Sequence, residues 1–314
     1  MGKFIRNILF FLLFFGAVAW GLNDWMGKNN NEPEHYRKQF EDVLDPGFNA
    51  DGIIIGNSHA VHGIRPSILD RTGLRFYNLA LNGSNPSYYL HWYEDFYLRH
   101  HPKPEYLIYA VDFFSFSYKI SYRTFEDDSE YLPFRDLMYL IQKPERFNAV
   151  KLIMNRYPLL KNGKAVLERK KFLRQDTFWL PEQYDRGFAT YEVPEEPSSF
   201  VIPHFPSKMY DEPKEIFAFN LMIDRVVADG TKVIFVVVPE NGIAVEEYAS
   251  SPAISHFQKV AAKHDIPMLN FNTTLRSALN DDRSNFNDWV HLNPKGSKIF
   301  SEMLADTLGG ILRK

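Results

Sequence analysis

Five short apolar runs, separated by stretches of helical periodicity, set the tightest limit on what this chain can become. Gly52-Ile53-Ile54-Ile55 is brief, wholly apolar and β-branched, the composition of a strand covered on both faces of a parallel sheet. Residues 75–81, 105–111, 232–238 and 266–271 supply four more such runs, while 86–100 and 294–312 carry helical patterns. Strands alternating with helices build βαβ units with right-handed crossovers. The reading is therefore an α/β domain, doubly wound in three layers around a parallel five-stranded sheet. Ligands in such sheets bind beyond the carboxyl ends of the strands.

The third and fourth strands lie too far apart for one crossover helix. Residues 117–213 are read as a large, mostly helical insertion, with helical patches at 136–141 and 147–171 and a Pro-rich stretch at 193–206. An insertion leaving the carboxyl end of a strand overhangs the site as a lid or wall. The α/β domain then comprises 50–116 and 214–314.

At the N-terminus, Lys3 and Arg6 precede an apolar run over residues 4–22, which reads as a membrane anchor or the core of a secretory signal. Ala17-Val18-Ala19 offers a small-x-small cleavage pattern. The anchor, residues 1–22, is the favoured reading, with 23–49 as a stalk that includes a short helix over 36–44. The basic residues on the N-terminal side orient the body of the chain out of the cytoplasm, periplasmic or extracellular.

Composition excludes several classes. The chain has no cysteine, which removes disulfides, thiolate metal sites and a cysteine nucleophile together. A net charge of -3 gives no basic face for phosphate, so nucleic acid is not an expected partner. His59, His62, His91, His100 and His101 show no paired ligand spacing, so no metal and no cofactor is expected.

Ser58 falls where the first strand gives way to a helix, which presents its hydroxyl at the carboxyl edge of the sheet. A serine hydroxyl needs a base to take its proton, and the base works best when a third group fixes its tautomer. His291 is the candidate base and Asp288, three residues earlier, its orienting carboxylate. Oxyanion donors would come from the same edge, where Asn82-Gly83-Ser84-Asn85 and Asp112-Phe113 end the second and third strands.

Gly56-Asn57-Ser58-His59, Asn82-Gly83-Ser84 and Asp288-x-x-His291 resemble, in order and spacing, the SGNH/GDSL hydrolase superfamily, whose domain is flavodoxin-like. The likeness spans about residues 50–118 and 215–312 and rests on about a dozen specific positions. It implies that Ser58 is the nucleophile, that Asp288 and His291 complete a triad, and that the backbone N–H groups of Ser58 and Gly83 stabilise the oxyanion. One position departs from the pattern. The third block of the family carries an Asn whose amide donates to the oxyanion, and Asp112 stands here. Asn82 or Asn85 is then the substitute donor, or Asp112 is protonated, or the site is weaker than the family norm.

The anchor and the insertion are similar to those of extracytoplasmic SGNH proteins of the alginate-acetylation and D-alanylation type. Asn57-Ser58-His59-Ala60 is similar to the Asp-Ser-His-Ala run in SGNH domains fused to membrane acyltransferases. The resemblance implies an O-acyltransferase, with an acetyl group as the cargo, a polysaccharide acceptor and a membrane-bound acyltransferase as donor. Two alternatives stay open: a carbohydrate or lipid esterase of the same fold, and a non-catalytic binding subunit of a polysaccharide export system. Phe113, Phe114, Phe116 and Tyr118 are expected to pack the core or lid, with a sugar-stacking platform as the sharper alternative. Lys164, Arg169, Lys170, Lys171 and Arg174 read as a solvated helix face or as a contact for anionic headgroups.

Overall fold

The structure, a computed structural model, describes residues 2–28, 34–117, 123–157, 159–161, 184–190, 212–248 and 251–312. Tyr118, the basic run from Lys164 to Arg174, residues 29–33 of the stalk, the stretch 193–206 and residues 158 and 162–171 of the helical patch 147–171 lie outside them. The chain divides into two compact units, one made of Met1–Pro33 and Glu126–Thr177 and the other of Glu34–Phe125 and Phe178–Lys314.

The larger unit holds the sheet. In chain order the elements used below are α1 (Gly2–Lys28), α2 (Glu34–Leu44), β1 (Gly52–Ile55), α3 (Ser58–Gly63), β2 (Phe76–Asn78), α4 (Pro86–Trp92) and β3 (Tyr106–Ala110). They continue with α5 (Phe134–Ile141), α6 (Ala149–Arg156), α7 (Pro213–Ala228), β4 (Lys232–Val237), α8 (Pro252–His264), β5 (Met268–Asn270) and α9 (Pro294–Leu312). Every strand pair is parallel, in the order β2-β1-β3-β4-β5. The five-stranded parallel α/β sheet expected from the apolar runs is the one found.

Period-two alternation assigns the two faces. Ile54, Ile108, Ile234 and Val236 point to one side and join Val61, Phe300, Leu304 and Leu308 of α3 and α9 in a single apolar core. Tyr109 and Phe235 point to the other side, where Phe219 of α7 and Phe257 of α8 meet them at ring separations of 5.4 to 6.3 Å. Each of these buried side chains contributes about 1.5–3 kcal/mol relative to exposure, so the two layers lock the sheet from both sides.

Two strands are shorter than the 75–81 and 266–271 read from the sequence, for local reasons. The Asn78 amide oxygen accepts the N–H of Ala80, diverting it from the ladder, although Leu79 and Leu81 still donate to Ile54 and Gly56 of the β1 edge. In β5, Asn270 Oδ1 accepts the N–H groups of Asn272 and Thr273 and turns the chain out of the sheet. The helix read over 86–100 is present but contains a π-helical turn at Tyr93–Tyr97.

Edge strand β2 is covered. Gln39 of α2 donates to the carbonyls of Asn78, Ala80 and Gly187, and Arg186 O accepts the Asn78 N–H, so this edge offers no free ladder to another chain.

Candidate active site

β1 ends in Gly56, whose φ is +146° and whose α-carbon lies so near Ala110 that an added Cβ would meet its carbonyl oxygen at 2.7 Å. Only glycine holds that turn. Asn57 then caps α3: its side chain accepts the His59 N–H at 3.1 Å, and its carbonyl accepts from Ala60 and Val61. The Ser58 N–H, first in the helix, has no acceptor among the described residues. Asn78 holds this short helix in place from below, donating through its side chain to the carbonyls of Ala60 and Ile64.

The second part of the site is a closed loop. Asn287 N–H donates to His291 O, Phe286 bridges Leu292, and Asn293 N–H donates to Asn285 O. Inside it, Asp288 Oδ1 accepts the N–H groups of Val290 (2.8 Å) and His291 (2.7 Å), which leaves Oδ2 to meet His291 Nδ1 at 2.7 Å. The three-residue spacing thus works as a local turn, with the carboxylate held by backbone donors and aimed at the imidazole.

Arg65 joins the two parts. Just beyond α3, its guanidinium donates to Pro294 O (2.6 Å) and Ser297 Oγ (3.0 Å), and its N–H to Ser301 Oγ, fastening α3 to the start of α9. With that tie in place His291 Nε2 sits 2.8 Å from Ser58 Oγ. The carboxylate fixes Nδ1 as the donor, so Nε2 accepts from the serine hydroxyl.

Electrostatics favour this arrangement. Burial pushes the Asp288 carboxyl up, but the His291 imidazole and the hydrogen bonds from His291 and Val290 outweigh it and hold it at about 2. His62 lies edge-on to His291, ring centroids 5.7 Å apart, and donates from Nδ1 to Ala189 O. Burial, reinforced by His291, lowers His62 to about 3, so it brings no second positive charge to the site.

The loop after β2 reaches the same edge. Gly56 O accepts from Leu81 N–H, Ser84 Oγ and Tyr89 Oη, which sets residues 81–84 against the turn that carries Ser58. Gly83 adopts φ +70° and its N–H, like that of Ser58, has no acceptor among the described residues. Asn85 serves as the cap of α4, its amide oxygen accepting from Tyr88 N–H and Ser87 Oγ. Asn82 Oδ1 is buried, and among the described residues its carboxamide has no hydrogen-bond partner.

Asp112 has a different occupation from an oxyanion donor. Its Oδ1 accepts from Phe114 N–H (2.7 Å) and its Oδ2 meets His59 Nδ1 at 2.9 Å, in a pair only 3% exposed on each side. With both oxygens accepting, it presents no donor to a substrate. His59 Nε2 is buried with no hydrogen-bond partner among the described residues, and its ring lies 5.4 Å from that of His291.

Sequence spacing misses the carboxylate partner of His59, 53 residues away; a charged residue directly after a buried strand is the available signal. Glu240 was missed as well. Three residues past the end of β4, it is buried, and burial followed by the Asp112 charge raises it well above the ordinary carboxylate range. It lines a small cavity with Phe113, Val237, Asn270 and Asn272. Phe113 and Phe114 cluster with Trp289 and Val290 beside the His291 loop, and Phe116 packs against Phe219 and Phe257, so these rings fill the interior. Among the described residues no three His, Asp or Glu side chains converge as a metal-binding group.

Neither a protein-family model nor a curated protein matches the sequence. Solved structures do resemble the fold. A psychrotrophic esterase from Pseudoalteromonas sp. is similar at 11% identity and a TM-score of 0.43, over 84% of this chain and 100% of its own. A GDSL-like lipase from Bacteroides thetaiotaomicron is similar at 10% identity and a TM-score of 0.41, over 88% of this chain and 98% of its own. A lipase/acylhydrolase from Enterococcus faecalis is similar at 9% identity and a TM-score of 0.38, over 83% and 96%.

Proposed function

We propose that this chain is a serine-dependent acyl-transfer enzyme of the SGNH type, and that it moves an acyl group, an acetyl in the simplest case, onto a sugar hydroxyl of a polysaccharide. The observation that carries the chemistry is the unbroken hydrogen-bond series from Ser58 Oγ through His291 to Asp288.

In the first half-reaction Ser58 Oγ attacks the ester carbonyl while its proton passes to His291 Nε2. Asp288 keeps the imidazole oriented and stabilises the imidazolium that forms. The oxyanion falls toward the uncommitted N–H groups of Ser58 and Gly83, with the Asn82 carboxamide as the third donor in place of the committed Asp112. Collapse expels the alcohol, which takes its proton from His291 and leaves an ester on Ser58. In the second half a hydroxyl gives its proton to the same nitrogen and attacks that ester. Water makes the enzyme an esterase; a sugar makes it a transferase.

Transfer to a polysaccharide is favoured by the placement of the chain. α1 contains 24 residues, Lys3–Met26, long and apolar enough to cross a membrane, and its large apolar side chains from Phe4 to Trp25 are exposed. We read it as an anchor with the catalytic unit extracytoplasmic, supplied by a membrane-bound acyl donor.

The test is intact-mass spectrometry of the full chain with an activated acetyl ester, with and without oligosaccharide. An adduct on Ser58 that sugar discharges faster than water supports transfer. Equal discharge across an acceptor panel assigns an esterase, and absence of any adduct overturns the acyl-enzyme.

A further inference from the structure

Away from α1, the large apolar side chains that are exposed gather in one place. Phe134, Met138, Val150, Ile153, Met154, Tyr157 and Leu160 all belong to the unit that contains α1, whereas the other unit exposes only Phe217 and Ile243 among its described residues. Their spacing is ordered. On α5, Asp136, Leu137 and Leu140 turn inward while Phe134 and Met138 share the outer face at i and i+4. On α6, Leu152 turns inward while Val150, Ile153, Met154 and Tyr157 stand at i, i+3, i+4 and i+7, a complete helical stripe facing out. A soluble helix puts polar residues on that face. Two helices in contact that both reverse the rule concentrate exposed apolar side chains in one part of the unit, which marks an interaction surface.

The position of the patch relative to α1 names the occupant. Leu159 N–H donates to Asn23 Oδ1 at 3.1 Å, and Asn23 lies near the end of the apolar span, between the exposed Trp20 and Trp25. Tryptophans at the end of a span mark the boundary between hydrocarbon and headgroups. The hydrogen bond therefore fixes Leu159, and the α6 stripe that precedes it, at the level of that boundary.

We infer that the outer faces of α5 and α6 form a membrane-seating surface, with Phe134, Ile153, Met154 and Tyr157 entering the lipid boundary beside α1. The inference rests on the reading of α1 as an anchor. It makes the anchor rigid rather than a tether: the unit lies on the bilayer as well as being threaded through it. The seating is apolar rather than electrostatic, because the described cations of α6 and of the segment just after it are already committed. Lys151 pairs with Asp127, Lys161 with Glu130, and Arg156 donates to the carbonyls of Ser129, Glu130 and Leu132.

The absence of cysteine makes the test clean, since one introduced cysteine is a unique label. The full chain is reconstituted in phosphatidylcholine nanodiscs with an environment-sensitive fluorophore at Ile153→Cys, Phe134→Cys, Leu13→Cys or Asp306→Cys, and quenched with lipids carrying nitroxides at graded depths. The expected result is a deep label at Leu13, near the middle of the span, a solvent label at Asp306, and labels at Ile153 and Phe134 placed about 5–10 Å into the headgroup and acyl boundary. High salt should leave those depths unchanged. Ile153 and Phe134 labels that behave like Asp306 while Leu13 is deep overturn the seating surface and leave the anchor standing. A shallow Leu13 overturns both. Met154→Glu, at an exposed position that does not threaten the fold, should lift the Ile153 label toward solvent; an unchanged depth also overturns the inference.

Discussion

Two imidazole–carboxylate pairs lie side by side at the carboxyl edge of this sheet, and chemically they are the same. His291 and Asp288 are three residues apart, 20% and 27% exposed, and continue to Ser58 Oγ; His59 and Asp112 are 53 residues apart, 3% exposed each, and end in a buried nitrogen with no partner among the described residues. What separates a base from a structural pair is therefore not the pair. It is access and the group on the far nitrogen. On the reading proposed above, a proton taken from Ser58 by His291 can be handed on to an entering or leaving alcohol, whereas His59 Nε2 meets no hydrogen-bond partner among the described residues.

The largest effect should come from the exposed pair. On the reading proposed above, His291→Ala lowers kcat on a small ester by about 10⁴-fold or more, and Asp288→Asn by about 10⁴-fold, with circular dichroism unchanged. The comparison breaks if His59→Ala costs kcat as much as His291→Ala does. His59→Ala should act instead on stability. It leaves Asp112 buried without its partner, at a cost of about 3–5 kcal/mol in a urea titration, while the folded fraction keeps far more activity than His291→Ala.

A third imidazole sharpens the point, because His62 is held through Nδ1 by the Ala189 carbonyl and its burial keeps it neutral. Its folded value is about 3 against an ordinary 6.5. Between those values the unfolded chain binds more protons, so stability should be full above pH 6.5 and fall as the pH drops from 6.5 toward 3. Asp288, about 2 in the fold against an ordinary 3.8, adds a further loss from pH 3.8 to 2. Thermal melting across that range should show the loss, and His62→Gln should remove its upper part; an unchanged profile in the variant would assign the acid sensitivity elsewhere. The smallest effect belongs to the turn that displays both Ser58 and His59. Asn57→Ala removes the cap of α3 and should cost about 1 kcal/mol in the same titration, with Asn57→Ser restoring most of it.

Much of this was legible from local pattern. Gly52 to Ile55 could be recognised as a buried strand because four apolar residues in a row admit no polar face, and Ser58 could be placed at a strand end because Gly56 and Asn57 are turn and cap residues. Asp288 and His291 were readable as a unit because three residues are enough for a carboxylate to reach back to its own turn. Asp112 was harder. Its position after a strand was clear, but its partner sits at the start of another element, and no local period connects them.

By itself, then, the sequence determined the five parallel strands, the apolar span of α1 and the identity of the three groups that meet at Ser58. Periodicity and short-range spacing carry that information. Only the tertiary structure decided that Asp112 would face His59 rather than a substrate, that Asn85 would be consumed as a helix cap while Asn82 was not, and that the apolar stripes of α5 and α6 would face outward. Each depends on which distant segments are brought together. Arg65 shows how: its guanidinium spans 229 and 232 residues to reach Pro294 and Ser297, and through that one tie a serine near the start of the sheet meets a histidine near its end. Burial and hydrogen bonding between remote segments set such contacts, and a local pattern encodes only the faces that are available to make them.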